Sequence, residues 1–195
     1  IVRGVSDPEQ VVAGADGALL YVASEDTGTA VITRADTGAT LASLPVGGEP
    51  EGIAISPDGG TVYVTSEQEH RVSVIDTAAQ RVVARFGVGR RPRAAAFAPD
   101  GARAYVSSEN DATLAVVDTR RHAVVATVDI PGANARPMGV AIAPNGGRVY
   151  VTTGRGGTLV AIDSETLDVV GSVAVGPRPW GVALDPTGRY AYTAN

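Results

Sequence analysis

Five tyrosine-led segments recur along the chain at nearly constant spacing. YVAS starts at Tyr21, YVTS at Tyr63, YVSS at Tyr105, YVTT at Tyr150 and YTAN at Tyr192, in steps of 42, 42, 45 and 42 residues. A proline keeps the same interval at Pro8, Pro50, Pro92, Pro137 and Pro179. A turn sequence follows each proline: ADG at 15–17, SPDG at 56–59, APDG at 98–101, APNG at 143–146 and DPTG at 185–188. Five registers that agree at this spacing define a tandem repeat.

Each unit reads as four strands. In the second unit they are GIAIS, TVYVTS, RVSVID and RVVARFGV, either alternating or continuously apolar, with Gly, Pro and Asp between them. No stretch sustains the 3.6-residue apolar period of a helix. The composition agrees: 24 Gly and 12 Pro, with abundant Val, Ala and Thr, favour short strands and tight turns. A four-stranded unit of this length is a propeller blade, so the expected fold is an all-β β-propeller of four-stranded antiparallel blades. The Gly- and Ala-rich first strands, such as AAAFA at 94–98, suit the crowded central axis.

The pattern YVTS…VSVIDTAAQRVVARFGVG…P…PDG resembles the YVTN-type β-propeller repeat of bacterial and archaeal extracytoplasmic proteins. The segments GEPEGIAISPDG, RPRAAAFAPDG, ARPMGVAIAPNG and RPWGVALDPTG further resemble the propeller proteins associated with pyrroloquinoline-quinone-dependent alcohol catabolism. The resemblance covers nearly the whole chain. It implies a periplasmic or extracellular setting, an association with quinoprotein alcohol oxidation, and a ring of about seven blades. One departure is that the Asp of VID (Asp76, Asp118, Asp163) becomes Arg34 in the first unit, where the turn is expected to re-form around Asp36, Thr37 and Gly38.

The chain is expected to form one propeller domain over 1–195, with repeats at 7–48, 49–90, 91–135, 136–177 and an incomplete 178–195. Residues 1–6 align with the end of a fourth strand, and 180–195 supply only a first and a second. Such ends cannot complete a regular five-bladed ring, so a partial ring of about 4.5 blades is expected.

Strand parity places the loops bearing the repeating proline and the loops after YVxS on one face, here the top. The three extra residues of the 45-residue step fall in the top loop PGANARP, and insertions in repeat proteins concentrate on one face, often the binding face. Before the proline stand Asp7, Glu49, Arg91, Arg136 and Arg178. After it stand Glu9, Glu51, Arg93, Met138 and Trp180. Glu25, Glu67 and Glu109 follow YVxS directly. An acidic sector thus gives way to a basic one that ends in an aromatic.

Guanidinium forks match carboxylate and phosphate, and Trp180 offers a stacking platform. Pairing of these arginines with loop acids such as Glu109 competes with that reading. The glutamates can offer oxygens to Ca²⁺, but they are spread over blades and lack an Asp-x-Asp loop. His70 in a top loop is a candidate base or ligand, whereas His122 falls in a bottom turn. GRGG at 154–157 reads as a tight turn, since no Lys-Ser/Thr follows it.

The expected function is therefore a non-catalytic binding or scaffold propeller. It would use Arg91, Arg93, Arg136, Met138, Arg178, Trp180, Glu9, Glu51, Glu67, Glu109 and His70 to recognise a partner protein or a small anion. Pyrroloquinoline quinone and Ca²⁺ are candidate cofactors without a motif of their own. Two other readings stay open: a propeller enzyme, lactonase-like or quinone/haem oxidoreductase-like, and a cell-surface structural module. A net charge of −5 without an Arg/Lys stripe disfavours nucleic acid, no apolar run is long enough for a membrane helix, and the absence of Cys excludes thiolate chemistry.

Overall fold

A computed structural model describes residues 5–195. Residues 1–4, most of the fourth-strand end expected at 1–6, lie outside the described residues, and Val5 and Ser6 belong to no strand. Four antiparallel four-stranded sheets follow one another in chain order, then a hairpin. Blade 1 holds β1 (Pro8–Ala13), β2 (Leu19–Ser24), β3 (Thr29–Arg34) and β4 (Thr40–Pro45). Blade 2 holds β5 (Pro50–Ile55), β6 (Thr61–Ser66), β7 (Arg71–Asp76) and β8 (Arg81–Gly87). Blade 3 holds β9 (Pro92–Phe97), β10 (Arg103–Ser108), β11 (Thr113–Asp118) and β12 (Ala123–Asp129). Blade 4 holds β13 (Val140–Ile142), β14 (Arg148–Thr152), β15 (Thr158–Asp163) and β16 (Val169–Ala174). The hairpin pairs β17 (Gly181–Leu184) with β18 (Ala191–Ala194). The sole helical element among the described residues is the 3₁₀ turn Gly154–Gly156, inside GRGG.

The repeated motifs each have a local cause. In the PDG turns the acid accepts from the amide two residues on: Asp58 Oδ1 from Gly60 N at 3.0 Å, Asp100 Oδ1 from Ala102 N at 2.9 Å. The Asp of VID caps its own turn, as Asp118 Oδ1 accepts from Arg120 N at 2.9 Å. In the first unit the turn re-forms around Asp36, whose carboxylate takes both Arg34 Nε (3.0 Å) and Nη2 (2.8 Å), and Gly38 N donates to Arg34 O.

The core lies between blades rather than within one. Side chains alternate across each strand, so odd and even positions face opposite neighbours. Val62, Val64 and Ile75 pack on blade 1 with Tyr21 and Ile32, while Tyr63, Val72 and Val74 pack on blade 3 with Ala104, Val106 and Val117. Tyr105, Leu114 and Val116 meet Val149, Val151 and Ile162 of blade 4 in the same way. The tyrosine of YVxS is thus the inter-blade wedge. Tyr63 is fully buried, lies 5.4 Å and 4.6 Å (centroids) from Phe86 and Phe97, and its hydroxyl pairs with His122 Nδ1 of blade 3 at 2.8 Å.

At the axis the first strands approach so closely at Gly52 and Gly139 that a side chain is excluded there. A Cβ on Gly52 would sit 2.4 Å from Arg93 O, and one on Gly139 would sit 2.8 Å from Trp180 O.

Candidate functional site

Two backbone devices assemble the top face. The residue before the repeating proline takes a left-handed conformation at Asp7 (φ 50), Glu49 (φ 49), Arg91 (φ 57) and Arg178 (φ 53), unusual for residues with a side chain. Its carbonyl accepts from the residue after YVxS: Glu25 N to Asp7 O at 2.9 Å, Glu67 N to Glu49 O at 3.0 Å, Glu109 N to Arg91 O at 2.9 Å. The two loop positions that look independent in sequence are therefore stapled together in each of these blades.

The hydroxyl at the third position of YVxS supplies the second device. Ser107 accepts from Ala94 N at 3.1 Å and donates to Met138 O at 2.6 Å. Thr152 accepts from Gly139 N at 2.8 Å and donates to Trp180 O at 3.1 Å. Blades 3 and 4 thereby fix the residue after the proline in the blade that follows, which sets Met138 and Trp180 in place.

The side chains so positioned separate into three groups. The first is a buried ion cluster centred on Arg93, whose side chain is 8% exposed. Its Nη1 contacts Glu51 and Glu67, and its Nε donates to Glu109 Oε2 at 2.8 Å. Arg91 closes the cluster from above, with Nε 2.6 Å from Glu67 and 3.3 Å from Glu109. Burial pushes the Glu51 carboxyl up to about 8, the nearby Glu67 and Glu9 adding to the rise while Arg93 opposes it.

The second group is open to solvent. A cleft of about 150 Å³ is lined by Arg91, Arg93, Arg136, Arg155, Arg178 and Trp180, with Glu109, Met138 and Gly154. Arg136 Nη1 donates to the neutral Asn110 Oδ1 at 2.5 Å. The side chains of Arg155 and Arg178 are exposed and have no acidic partner among the described residues. Trp180 is 45% exposed, with the Arg93 guanidinium 5.1 Å from its ring centroid, in cation–π range. Arg93, Met138 and Trp180 also wall a second cleft of about 150 Å³ that reaches Glu51 and Gln10 along the first strands.

The third group is the acidic sector on blade 1, where carboxylate oxygens of Asp7, Glu9 and Glu25 lie within 4.8 Å of one another. Burial, then Glu9, Asp7 and Glu49, push the Glu25 carboxyl up to about 7. Below the raised value the folded chain holds a proton that the unfolded chain releases, so stability falls as pH rises from the ordinary carboxylate range towards about 7. Glu25→Gln is therefore expected to raise the melting temperature at about pH 8 and to leave it unchanged at about pH 4, as thermal unfolding at the two pH values will show.

Of the residues expected on the binding face, Arg91, Arg93, Arg136, Arg178, Trp180, Met138 and Glu109 do come together. Glu51, Glu67 and Arg93 are buried rather than presented, and Met138 is 4% exposed, in the wall. His70 is exposed and lines neither cleft; its Nδ1 accepts from Arg91 N at 3.4 Å. Arg155 escapes a reading of GRGG as a turn alone. The signal for it is the repeat register, in which Gly154-Arg155 replaces Glu67-Gln68 and Glu109-Asn110 and so reverses the local charge.

Sequential four-stranded sheets with their first strands at the axis and a pocketed top face define a β-propeller. The chain belongs to the cytochrome D1 heme domain family, whose sequence model matches residues 61–181, more than half of its length. Among solved structures it is similar to the hydrazine synthase of Kuenenia stuttgartiensis, with a TM-score of 0.90 and 24% identity, over 98% of this chain and 56% of that one. The chain thus spans little more than half the length of that neighbour. No curated protein matches the sequence.

Proposed function

We propose that this chain is a non-catalytic binding propeller whose top face takes a small anionic ligand in the arginine cleft. One observation carries the reading: among the described residues Arg155 and Arg178 stand without acidic partners beside Arg91, Arg136 and Trp180. Uncompensated guanidinium groups converging on a concave site favour an anion, and each fork can hold a carboxylate through two hydrogen bonds.

The family is named for haem, so the fit of that group to these residues matters. Arginines suit its carboxylates, but a haem also needs an iron ligand at the site. Neither histidine lines it, and the Met138 thioether is buried in its wall. The arginine cleft therefore does not fit a haem.

The sequence resemblance supports a finer reading, in which the chain works outside the cytoplasm beside quinoprotein alcohol oxidation and the ligand is a cofactor bearing several carboxylates. Among the described residues no helix is long and apolar enough to cross a membrane.

Calorimetric titration with citrate and with pyrroloquinoline quinone tests the proposal. Saturable binding of at least one is expected, weakened about a hundredfold in Arg155→Glu/Arg178→Glu, because two charge-assisted contacts are lost. Both side chains are exposed, so the variant should fold. No binding, or equal affinity in the variant, would overturn the proposal.

A further inference from the structure

The ion cluster beneath the arginine cleft holds three carboxylates, Glu51, Glu67 and Glu109, against two guanidinium groups, Arg91 and Arg93. If all were ionised, one negative charge would be left over in a buried site, and an uncompensated buried charge is costly. The excess is most economically removed by one proton. Its place is between Glu51 and Glu67, whose carboxyls share Arg93 Nη1. Glu67 is 4% exposed, so water does little to solvate a second charge there.

This cluster and the cleft are not separate. Arg91, Arg93 and Glu109 belong to both, and Arg93 is in contact with Trp180. Whatever charge the cluster carries is felt by a ligand in the cleft.

We propose that the arginine cleft binds its anion together with one proton, held between Glu51 and Glu67. With the proton in place the cluster is neutral, and the ligand meets the positive charge of Arg136, Arg155 and Arg178. Without it, the cluster presents an extra negative charge through shared residues, and an incoming anion is repelled. By reciprocity, an anion in the cleft makes that proton harder to remove.

The groups facing Glu51 are consistent with this. Glu67 after β6 and Glu9 on β1 oppose its ionisation, Arg93 on β9 favours it, and Gln10 on β1 is neutral. Burial is the largest influence and sets the carboxyl at about 8. The proton is then bound at neutral pH and lost above about 8. Glu25, in the blade 1 trio, titrates nearer 7 and can be read apart.

The inference rests on the cleft being an anion site, and one experiment separates the two claims. Citrate is titrated calorimetrically into the whole chain between about pH 7 and about pH 9.5, in paired buffers of different ionisation enthalpy. Above about pH 8 citrate is fully ionised, so proton uptake there belongs to the protein. Affinity is expected to fall by about tenfold per pH unit above about 8, with close to one proton taken up per citrate at the alkaline end. Glu51→Gln, which stands in for the protonated acid, should bind with constant affinity and no proton uptake. Citrate binding that is flat with pH and proton-free in the wild-type chain would overturn the inference and leave the anion site standing. No citrate binding at any pH would overturn both. Should Glu51→Gln fail to fold, the wild-type buffer comparison alone decides.

Discussion

Replacing Arg93 by methionine is expected to destabilise the fold by about 3–5 kcal/mol, because it leaves buried carboxylates without their counter-charge. Arg93 is the hub of the ion cluster, contacting Glu51, Glu67 and Glu109 at once, and its own side chain is 8% exposed. Methionine keeps much of the volume, so the loss is electrostatic rather than a cavity. The cost should depend on pH in a defined direction. Near neutral pH one proton already relieves the cluster, above about 8 the cost grows, and towards acidic pH it shrinks as the glutamates are neutralised. In the wild-type chain the raised Glu51 carboxyl makes stability decline as pH rises from the ordinary carboxylate range to about 8, since the folded state holds the proton that the unfolded state gives up. Urea unfolding of both chains across this range measures the difference. A loss below about 1 kcal/mol, or one that does not vary with pH, would show that the cluster is not the buried charge network described here.

The second large effect is expected at the inter-blade wedge. Tyr63→Ala should cost about 3–5 kcal/mol, the range for removing a large buried aromatic. Its ring fills the space between blades 2 and 3 against Phe86 and Phe97. Tyr63→Phe keeps the ring and loses only the hydroxyl pairing with His122, so it should cost about 1 kcal/mol. Burial also pushes the Tyr63 phenol well above its ordinary value, so the hydroxyl stays protonated and available as a donor. Equal losses in the two variants would mean that the hydrogen bond, not the packing, holds the blades together.

The fold is largely legible in the residue order because its causes are local and repeated. Alternation in TVYVTS and RVSVID sets strand faces, and the PDG and VID acids mark turns that need no distant partner. The departure at Arg34 is legible for the same reason, since Asp36 lies two residues away. The top face is legible only in part. Strand parity tells that Glu51, Glu67, Arg93 and Glu109 share one end of the blades. It does not tell that the Arg93 side chain of blade 3 reaches Glu51 and Glu67 of blade 2, because that depends on how adjacent blades pack. Hence Arg93 and Glu67, expected at the surface, are buried, whereas Arg178 and Trp180 stay accessible. Arg155 was hidden because its glycine neighbours explain the 3₁₀ turn without reference to the side chain that the turn projects.

The chain has a single tryptophan, Trp180, which lines the arginine cleft and walls the cleft beside it, so its emission reports on this part of the top face. The most direct measurement is Trp180 fluorescence during titration with citrate at about pH 7, in the wild-type chain and in Arg155→Glu/Arg178→Glu. A saturable change in the wild-type chain that disappears in the variant is the expected result. An emission that ignores citrate, or that responds equally in both chains, would contradict an anion site on this face.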